Sequence, residues 1–78
     1  MPRPTRVTND IRRLRFARGE MTQAELAERV GVTRQTIIAI EQGRYSPSLE
    51  TAFQIARALE ATLDDAFQYP ATPTEESR

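Results

Sequence analysis

Cysteine and histidine are both absent from the 78 residues. Without them the chain can form no disulfide and no Cys/His zinc site, and it offers neither a thiol nucleophile nor an imidazole for acid–base catalysis. Lysine is absent as well, so all eleven basic residues are arginines. Because small secreted domains usually carry disulfides, the missing cysteines predict a cytoplasmic protein.

Long apolar runs are also missing. No stretch approaches the roughly 20 residues of a membrane span, and residues 1–9 lack the apolar segment of a secretory signal. Hydrophobic residues make up 38 % and charged residues 28 %, as in ordinary soluble proteins. A chain of 78 residues is long enough for one domain, and its small core would gain stability from a second copy.

The net charge of zero hides two halves of opposite sign. Residues 1–44 contain nine arginines and five acidic residues, a balance of +4, whereas residues 45–78 contain two and six, a balance of −4. A basic half can bind an anionic partner such as nucleic acid. The planar fork of arginine suits phosphates and guanine edges, although a GC-rich genome would also favour arginine codons.

The pattern of caps and apolar positions predicts five short helices. Residues 1–8 form an extended arm, and the first helix begins at a cap on Thr8 or Asn9 and ends at Gly19. The second helix begins with a Thr22–Glu25 capping box. Its start is followed by inward positions at helical spacing: Ala24, Leu26, Ala27 and Val30.

Three further helices follow the same logic. The third begins at a Thr33 cap and ends near Gln42, and its Ile37 and Ile40 side chains are expected to face inward. The fourth begins at Ser48 with a wide apolar face: Leu49, Ala52, Phe53, Ile55, Ala56 and Leu59. The fifth begins at Thr62 and holds Leu63, Ala66 and Phe67. Residues 70–78, with proline and acidic side chains, are predicted to be a disordered tail.

The joint between the second and third helices is the most informative segment. Two short helices meet across Gly31-Val32-Thr33, and a three-residue turn with glycine is typical of a helix-turn-helix, here over residues 22–42. Glycine permits the positive φ that the turn requires. Ala27 is small, as close approach of the two helices demands.

The run Thr22-Gln-Ala-Glu-Leu-Ala-Glu-Arg-Val-Gly-Val-Thr-Arg-Gln-Thr-Ile37, followed by Ile40-Glu-Gln-Gly43, resembles the Cro/C1 (XRE-type) helix-turn-helix family. The resemblance covers about residues 7–69 and is closest to the short stand-alone members. It implies an all-α, five-helix, lambda-repressor-like domain over residues 9–69, with a minor two-stranded antiparallel sheet of about residues 5–8 and 67–70. The link before Thr22 is one residue longer than usual in the family, and Met21 is expected to fill the usual apolar site.

The resemblance implies that the third helix enters the major groove of double-stranded DNA. Arg34, Gln35, Ile38 and Ala39 share its outward face. Arginine can bind guanine and glutamine can bind adenine through two hydrogen bonds, and Ile38 or Ala39 can contact a thymine methyl. A merely solvated face is the alternative for Arg34 and Gln35, and Arg34 could bind a phosphate instead.

Phosphate contacts are implied on both sides of that helix. The predicted residues are Gln23, Thr33, Thr36, Gln42, Arg44 and Tyr45. Thr33 is equally explained as a helix cap, and Tyr45 as a packing residue with a hydrated hydroxyl. Arg15 and Glu41 match positions that form an internal ion pair in the family, whereas phosphate contact is the rival interpretation for Arg15.

The resemblance also implies a homodimer. Its predicted interface is the fifth helix with Leu63, Ala66 and Phe67, unless Leu63 and Phe67 only close the core of one protomer. The predicted function is a sequence-specific repressor that binds a palindromic operator in the nucleoid, without cofactor, metal or membrane. An antitoxin-like protein partner with autoregulatory DNA binding is the alternative. No catalytic set is expected, because the acidic pairs Asp64-Asp65 and Glu75-Glu76 are adjacent and diverge.

Overall fold

The computed structural model describes residues 5–70 and contains five helices and one two-stranded sheet. The elements are β1 (Thr8–Asn9), α1 (Ile11–Ala17), α2 (Gln23–Val30), α3 (Arg34–Glu41), α4 (Leu49–Ala58), α5 (Leu63–Ala66) and β2 (Phe67–Gln68). The predicted five-helix domain with a small antiparallel sheet from its two ends is confirmed. Its strands are Thr8–Asn9 and Phe67–Gln68, shorter than the predicted 5–8 and 67–70. Among the described residues, no helix is both long and apolar enough to cross a membrane. Residues 1–4 of the predicted arm and all of the predicted tail except Pro70 lie outside the described residues.

Side-chain caps begin four of the helices, as the sequence predicts. The hydroxyls of Thr22, Thr33, Ser48 and Thr62 each accept the backbone N–H three residues further on, at 3.0–3.2 Å. Thr22 with Glu25 and Thr62 with Asp65 form complete capping boxes. These bonds satisfy amides that have no partner inside the helix, so the starts of α2 to α5 are fixed locally.

The start of α1 and the end of α5 differ from the prediction. Thr8 and Asn9 lie in β1, where Thr8 pairs with Gln68 and Asn9 with Phe67, so neither is the cap residue of α1. Asp10 occupies that position without a side-chain capping bond. Phe67, expected in the fifth helix, has extended backbone and begins β2. The cause is the pairing of β1 with β2, which holds both segments extended.

The core is formed where α1, α2, α3 and α4 meet. Its largest fully buried side chains are Ile11, Leu26, Ile37, Ile40, Ile55 and Leu59. Three residues expected to face inward do not: Ala24 is exposed on α2, and Leu49 and Phe53 are exposed on α4. The apolar face of α4 is therefore wider than the surface that α2 and α5 offer to it.

The link from α1 to α2 accommodates its additional residue with two left-handed residues in succession. The α-helical residues end at Ala17 rather than at Gly19, and Gly19 and Glu20 have φ of +73° and +59°. The chain thereby returns Met21 to the core with 6 % of its surface exposed, so the prediction that Met21 fills an apolar site is confirmed.

Replacing Glu20 by glycine is expected to stabilise the domain by about 0.5–1 kcal/mol. An L-residue in the left-handed region costs roughly 1–2 kcal/mol, which glycine avoids, and the greater freedom of glycine in the unfolded chain offsets part of that gain. Urea unfolding followed by circular dichroism measures the difference. Glu20→Ala is the control, because it removes the same carboxylate and keeps the strain. Equal stability of the two variants would contradict the strain.

Candidate DNA interface

The turn between α2 and α3 sets the direction of the exposed helix. Gly31 has φ of +86°, and the Ala27 carbonyl accepts the N–H groups of both Gly31 (2.8 Å) and Val32 (3.0 Å). A Cβ on Gly31 would meet nothing within 4 Å, so glycine is required by the backbone conformation and not by space. Ala27 is 3 % exposed and belongs to the same core cluster as Ile37 and Ile40 of α3. The conformation of this turn sets how α3 crosses α2.

The outward face of α3 carries the residues predicted to read bases. Arg34 and Gln35 are exposed at its N-terminal end, and Ile38 and Ala39 are half-buried one turn further on. Ile37 and Ile40 are buried on the opposite side. The exposed end of α3 therefore presents one guanidinium and one carboxamide beside a smaller apolar surface.

The two threonines at the start of α3 bind each other. Their hydroxyl oxygens are 2.9 Å apart, and the Thr33 hydroxyl also accepts the Thr36 backbone N–H at 3.1 Å. Thr33 therefore acts as a cap. Thr33 remains exposed and Thr36 is half-buried, so a phosphate contact by either hydroxyl would extend an existing hydrogen-bond chain.

Three residues predicted to bind phosphate follow α3. The left-handed Gly43, with φ of +73°, reverses the chain after Gln42. Gln42 and Arg44 are exposed, and 43 % of the Tyr45 surface is exposed. The turn thus presents one more guanidinium beyond the end of the exposed helix.

A buried ion pair joins α1 to the end of α3. The Arg15 Nε donates to Glu41 Oε2 at 2.8 Å, and Nη2 donates to Oε1 at 3.2 Å. The Arg15 Nη1 donates to the Met21 carbonyl at 2.8 Å. The side chains of Arg15 and Glu41 are only 9 % and 10 % exposed. Arg15 thus makes three hydrogen bonds inside the protein, which favours the structural interpretation over the rival phosphate contact.

Gln23 is connected to this ion pair. Its Nε2 donates to Glu41 Oε1 at 3.2 Å, and the residue is half-buried at the first position of α2. An amide nitrogen carries two hydrogens, so the bond to Glu41 leaves one for a phosphate. The contact orients the Gln23 side chain before any ligand arrives.

Glu25 stabilises the start of α2. The Thr22 backbone N–H bonds its carboxylate at 2.7 Å, and this bond holds the pKa of Glu25 below its ordinary value, with smaller effects from the Thr22 hydroxyl and from Arg29. Glu25 therefore stays ionised at neutral pH and keeps the capping box closed.

A cleft between α1 and the helix-turn-helix pair brings several basic and amide side chains together. Gln23, Arg34 and Gln42 line it, as does Arg12 together with Arg13. Arg12 lies over the exposed Phe16 ring at 5.8 Å, and Arg13 forms an exposed ion pair with Asp10 at 3.3 Å. Sequence reasoning did not select Arg12 and Arg13, which the structure places in this cleft. Their signal was the run Arg12-Arg13-Leu14-Arg15, from which only Arg15 was selected.

The residues predicted for a dimer interface differ in exposure. Leu63 and Phe67 are half-buried, whereas Ala66 has no exposed surface and cannot reach a second copy. Ala66 is corrected to a core residue, since α5 turns that side toward α4. Leu63 and Phe67 line a second cleft, which shares no residue with the cleft beside Arg34.

Comparisons with known proteins agree with this geometry. A family model described as Helix-turn-helix matches residues 11–65, more than half of the chain. The chain belongs to the XRE-type helix-turn-helix family of transcriptional regulators.

Two relatives support this assignment, and a solved structure shows the same fold. An HTH-type transcriptional regulator of Methanothermobacter thermautotrophicus is 80 % identical over 39 residues, which cover 50 % of this chain and 56 % of that protein. One from Archaeoglobus fulgidus is 47 % identical over 62 residues, covering 80 % and 87 %. A Bacteroides fragilis crystal structure shares the fold, with a TM-score of 0.69 and 24 % identity over 80 % of this chain and 98 % of that one.

Proposed function

We propose that this protein is a sequence-specific repressor that binds a palindromic operator in double-stranded DNA as a homodimer. The observation that carries the proposal is the exposed pair Arg34 and Gln35 at the start of a helix whose opposite side is fully buried. The N-terminal half of such a recognition helix is the part that enters a major groove.

The chemistry of the exposed end of α3 fits base edges. Arg34 can donate two hydrogen bonds to guanine O6 and N7, and Gln35 can exchange two with adenine N6 and N7. Ile38 and Ala39 offer apolar surface to a thymine methyl. These four neighbouring side chains thus offer three kinds of base contact, to guanine, to adenine and to thymine, which suits the selection of a short half-site.

Phosphate contacts would flank the base contacts. Gln23 begins α2, before α3 in the chain, and Gln42, Arg44 and Tyr45 follow α3. Hydrogen-bond donors therefore lie before and after the recognition helix. Thr33 and Thr36 add hydroxyls at its start. We add Arg12 and Arg13 to this set because they line the same cleft as Gln23 and Arg34. Such contacts fix the protein on the backbone without selecting a sequence.

A homodimer follows from the limited reach of one module. A single helix-turn-helix covers few base pairs, and two copies place their recognition helices about 34 Å apart on successive major grooves. Repression is proposed because a bound dimer excludes polymerase from an overlapping operator without a further contact. The antitoxin-like alternative depends on residues 70–78, almost all outside the described range, and no observation favours it.

Base readout is tested by single substitutions on a site selected from random double-stranded DNA. Gln35→Ala and Arg34→Ala are each expected to cost about 1–3 kcal/mol of binding free energy and to relax preference at one base position. Mobility shifts on the selected site and its single-base variants measure both. Glu28→Ala is the control, since it truncates an exposed side chain of similar size on α2. Unchanged affinity and preference in Gln35→Ala would contradict this placement of α3.

The dimer is tested by mass in solution. Sedimentation equilibrium at tens of micromolar is expected to give twice the 8.9 kDa of the chain. Leu63→Asp is expected to give monomers with retained helix content. A dimer would bury the new carboxylate, which costs free energy, whereas one protomer leaves this side chain partly exposed. A monomeric wild type that protects one half-site would contradict the homodimer.

A further inference from the structure

The fourth helix carries an apolar surface that the domain leaves uncovered. Leu49 is 67 % exposed and Phe53 is 48 % exposed, one turn apart on α4. Together with Glu50, Gln54 and Arg57 they line one shallow cleft, which is called the helix-four face below. The opposite side of α4 is apolar because Ala52, Ile55 and Ala56 are buried in the domain. That burial gives no reason for the large apolar side chains of Leu49 and Phe53 on the exposed side.

The helix-four face is continuous with the surface predicted for a dimer. Leu49 lines its cleft and also the cleft that holds Leu63, Phe67 and Tyr69. Tyr69 is 62 % exposed. The two clefts therefore form one apolar surface that runs from β2 across the start of α4.

The size of this surface matches the requirement of a dimer. Aromatic side chains cover about 150–250 Å² each, so the exposed parts of these apolar residues amount to about 400 Å². A stable interface takes about 800 Å² from each partner, of which about 57 % is apolar. The surface is thus of the right size for one protomer's share.

The charges on the helix-four face would be complementary between two copies of that face. Glu50 and Arg57 are two turns apart on α4, one on either side of Phe53, and both are exposed. A twofold axis near Phe53 and Gln54 would bring a second α4 alongside in the antiparallel direction. Glu50 of each copy then faces Arg57 of the other, as an isologous contact requires.

From these observations we infer that α4 packs antiparallel against α4 of a second copy. Phe53 lies at the centre beside the axis, one Glu50–Arg57 pair lies on either side of it, and Leu49 packs at each end of the contact. This inference rests on the proposed homodimer and identifies its surface. It adds helix-four residues to the two helix-five residues that remain from the sequence prediction.

A charge exchange tests the geometry. Glu50→Arg and Arg57→Glu each place two like-charge pairs across the axis and are expected to raise the dimer dissociation constant at least tenfold, roughly the effect of opposed charges at an interface. The double variant restores opposite charges and is expected to return within about threefold of wild type. Sedimentation equilibrium at about 50 mM salt, where screening is weak, measures the constants.

The same design separates dimerisation from helix stability. Each single substitution also opposes the dipole of α4, and that cost would add in the double variant, whereas the dimer effect cancels. Arg29→Glu, an exposed charge reversal on α2, is the control and is expected to leave the dissociation constant unchanged.

Phe53→Asp supplies an independent measurement, with an expected rise of at least a hundredfold in the dissociation constant. A wild type that is monomeric would overturn both the homodimer and this surface. If Leu63→Asp dissociated the dimer while Phe53→Asp and both charge reversals left the dissociation constant unchanged, the helix-four surface alone would be overturned. Loss of dimerisation in the double variant to the same extent as in the singles would also overturn it.

Discussion

Replacing Glu41 by alanine is expected to cost about 3–5 kcal/mol of the free energy of unfolding. The substitution leaves the Arg15 guanidinium inside the protein without its carboxylate; among the described residues, the Met21 carbonyl and the Phe16 ring then remain as its partners. Domains of this length have a total stability of roughly 4–12 kcal/mol, so the loss is a large fraction of it. Thermal unfolding followed by circular dichroism is expected to show a midpoint lower by at least about 12 °C.

The paired apolar variant is the control for that experiment. Arg15→Met with Glu41→Leu removes both charges together, and it is expected to be far more stable than Glu41→Ala alone. The double variant should nevertheless bind DNA more weakly than wild type, because Gln23 loses the carboxylate that orients it. If the double variant were as unstable as the single one, the cost would lie in packing rather than in the unpaired charge.

Affinity for DNA is expected to fall by about a thousandfold between 50 and 200 mM salt, as it does for roughly six neutralised phosphates. Arg12, Arg13 and Arg44 of two protomers would supply these six contacts. The half of the chain that carries them has a balance of +4 in spite of the zero net charge. Counterions released from the DNA are the physical cause, so the logarithm of affinity should fall linearly with the logarithm of salt.

Two variants assign that slope to particular residues. Arg44→Ala is expected to weaken binding to all sequences alike and to make the slope shallower by about one unit for each protomer bound. Arg29→Ala, which removes an exposed arginine from the other side of the turn on α2, should leave the slope unchanged. Mobility shifts across the salt range measure both, and a complex insensitive to salt would contradict the phosphate contacts.

Local signals were sufficient for most of the fold. The caps at Thr22, Thr33, Ser48 and Thr62 were predicted because the bond between a hydroxyl and the amide three residues later is local and depends little on the rest of the fold. Gly31 was predicted at the turn for a similar reason, since the required φ is a property of one residue.

The candidate site was predicted in part. The bracketing of α3 by amides, hydroxyls and arginines came from the resemblance, and it included Gln23 and Arg44. Arg12 and Arg13 were missed, because their position beside Gln23 depends on how α1 crosses the helix pair. No pattern within α1 itself distinguishes an arginine at that cleft from a solvated one.

The sequence by itself determined the number and kind of elements, the helix-turn-helix and the basic half, since each depends on interactions within a few residues or on composition. Only the tertiary structure decided which apolar side chains are covered. Ala66 is buried and Phe53 exposed because α5 packs on one side of α4 and leaves the other open. Periodicity gives the direction of a side chain on its helix, but burial depends on whether a second element lies in that direction.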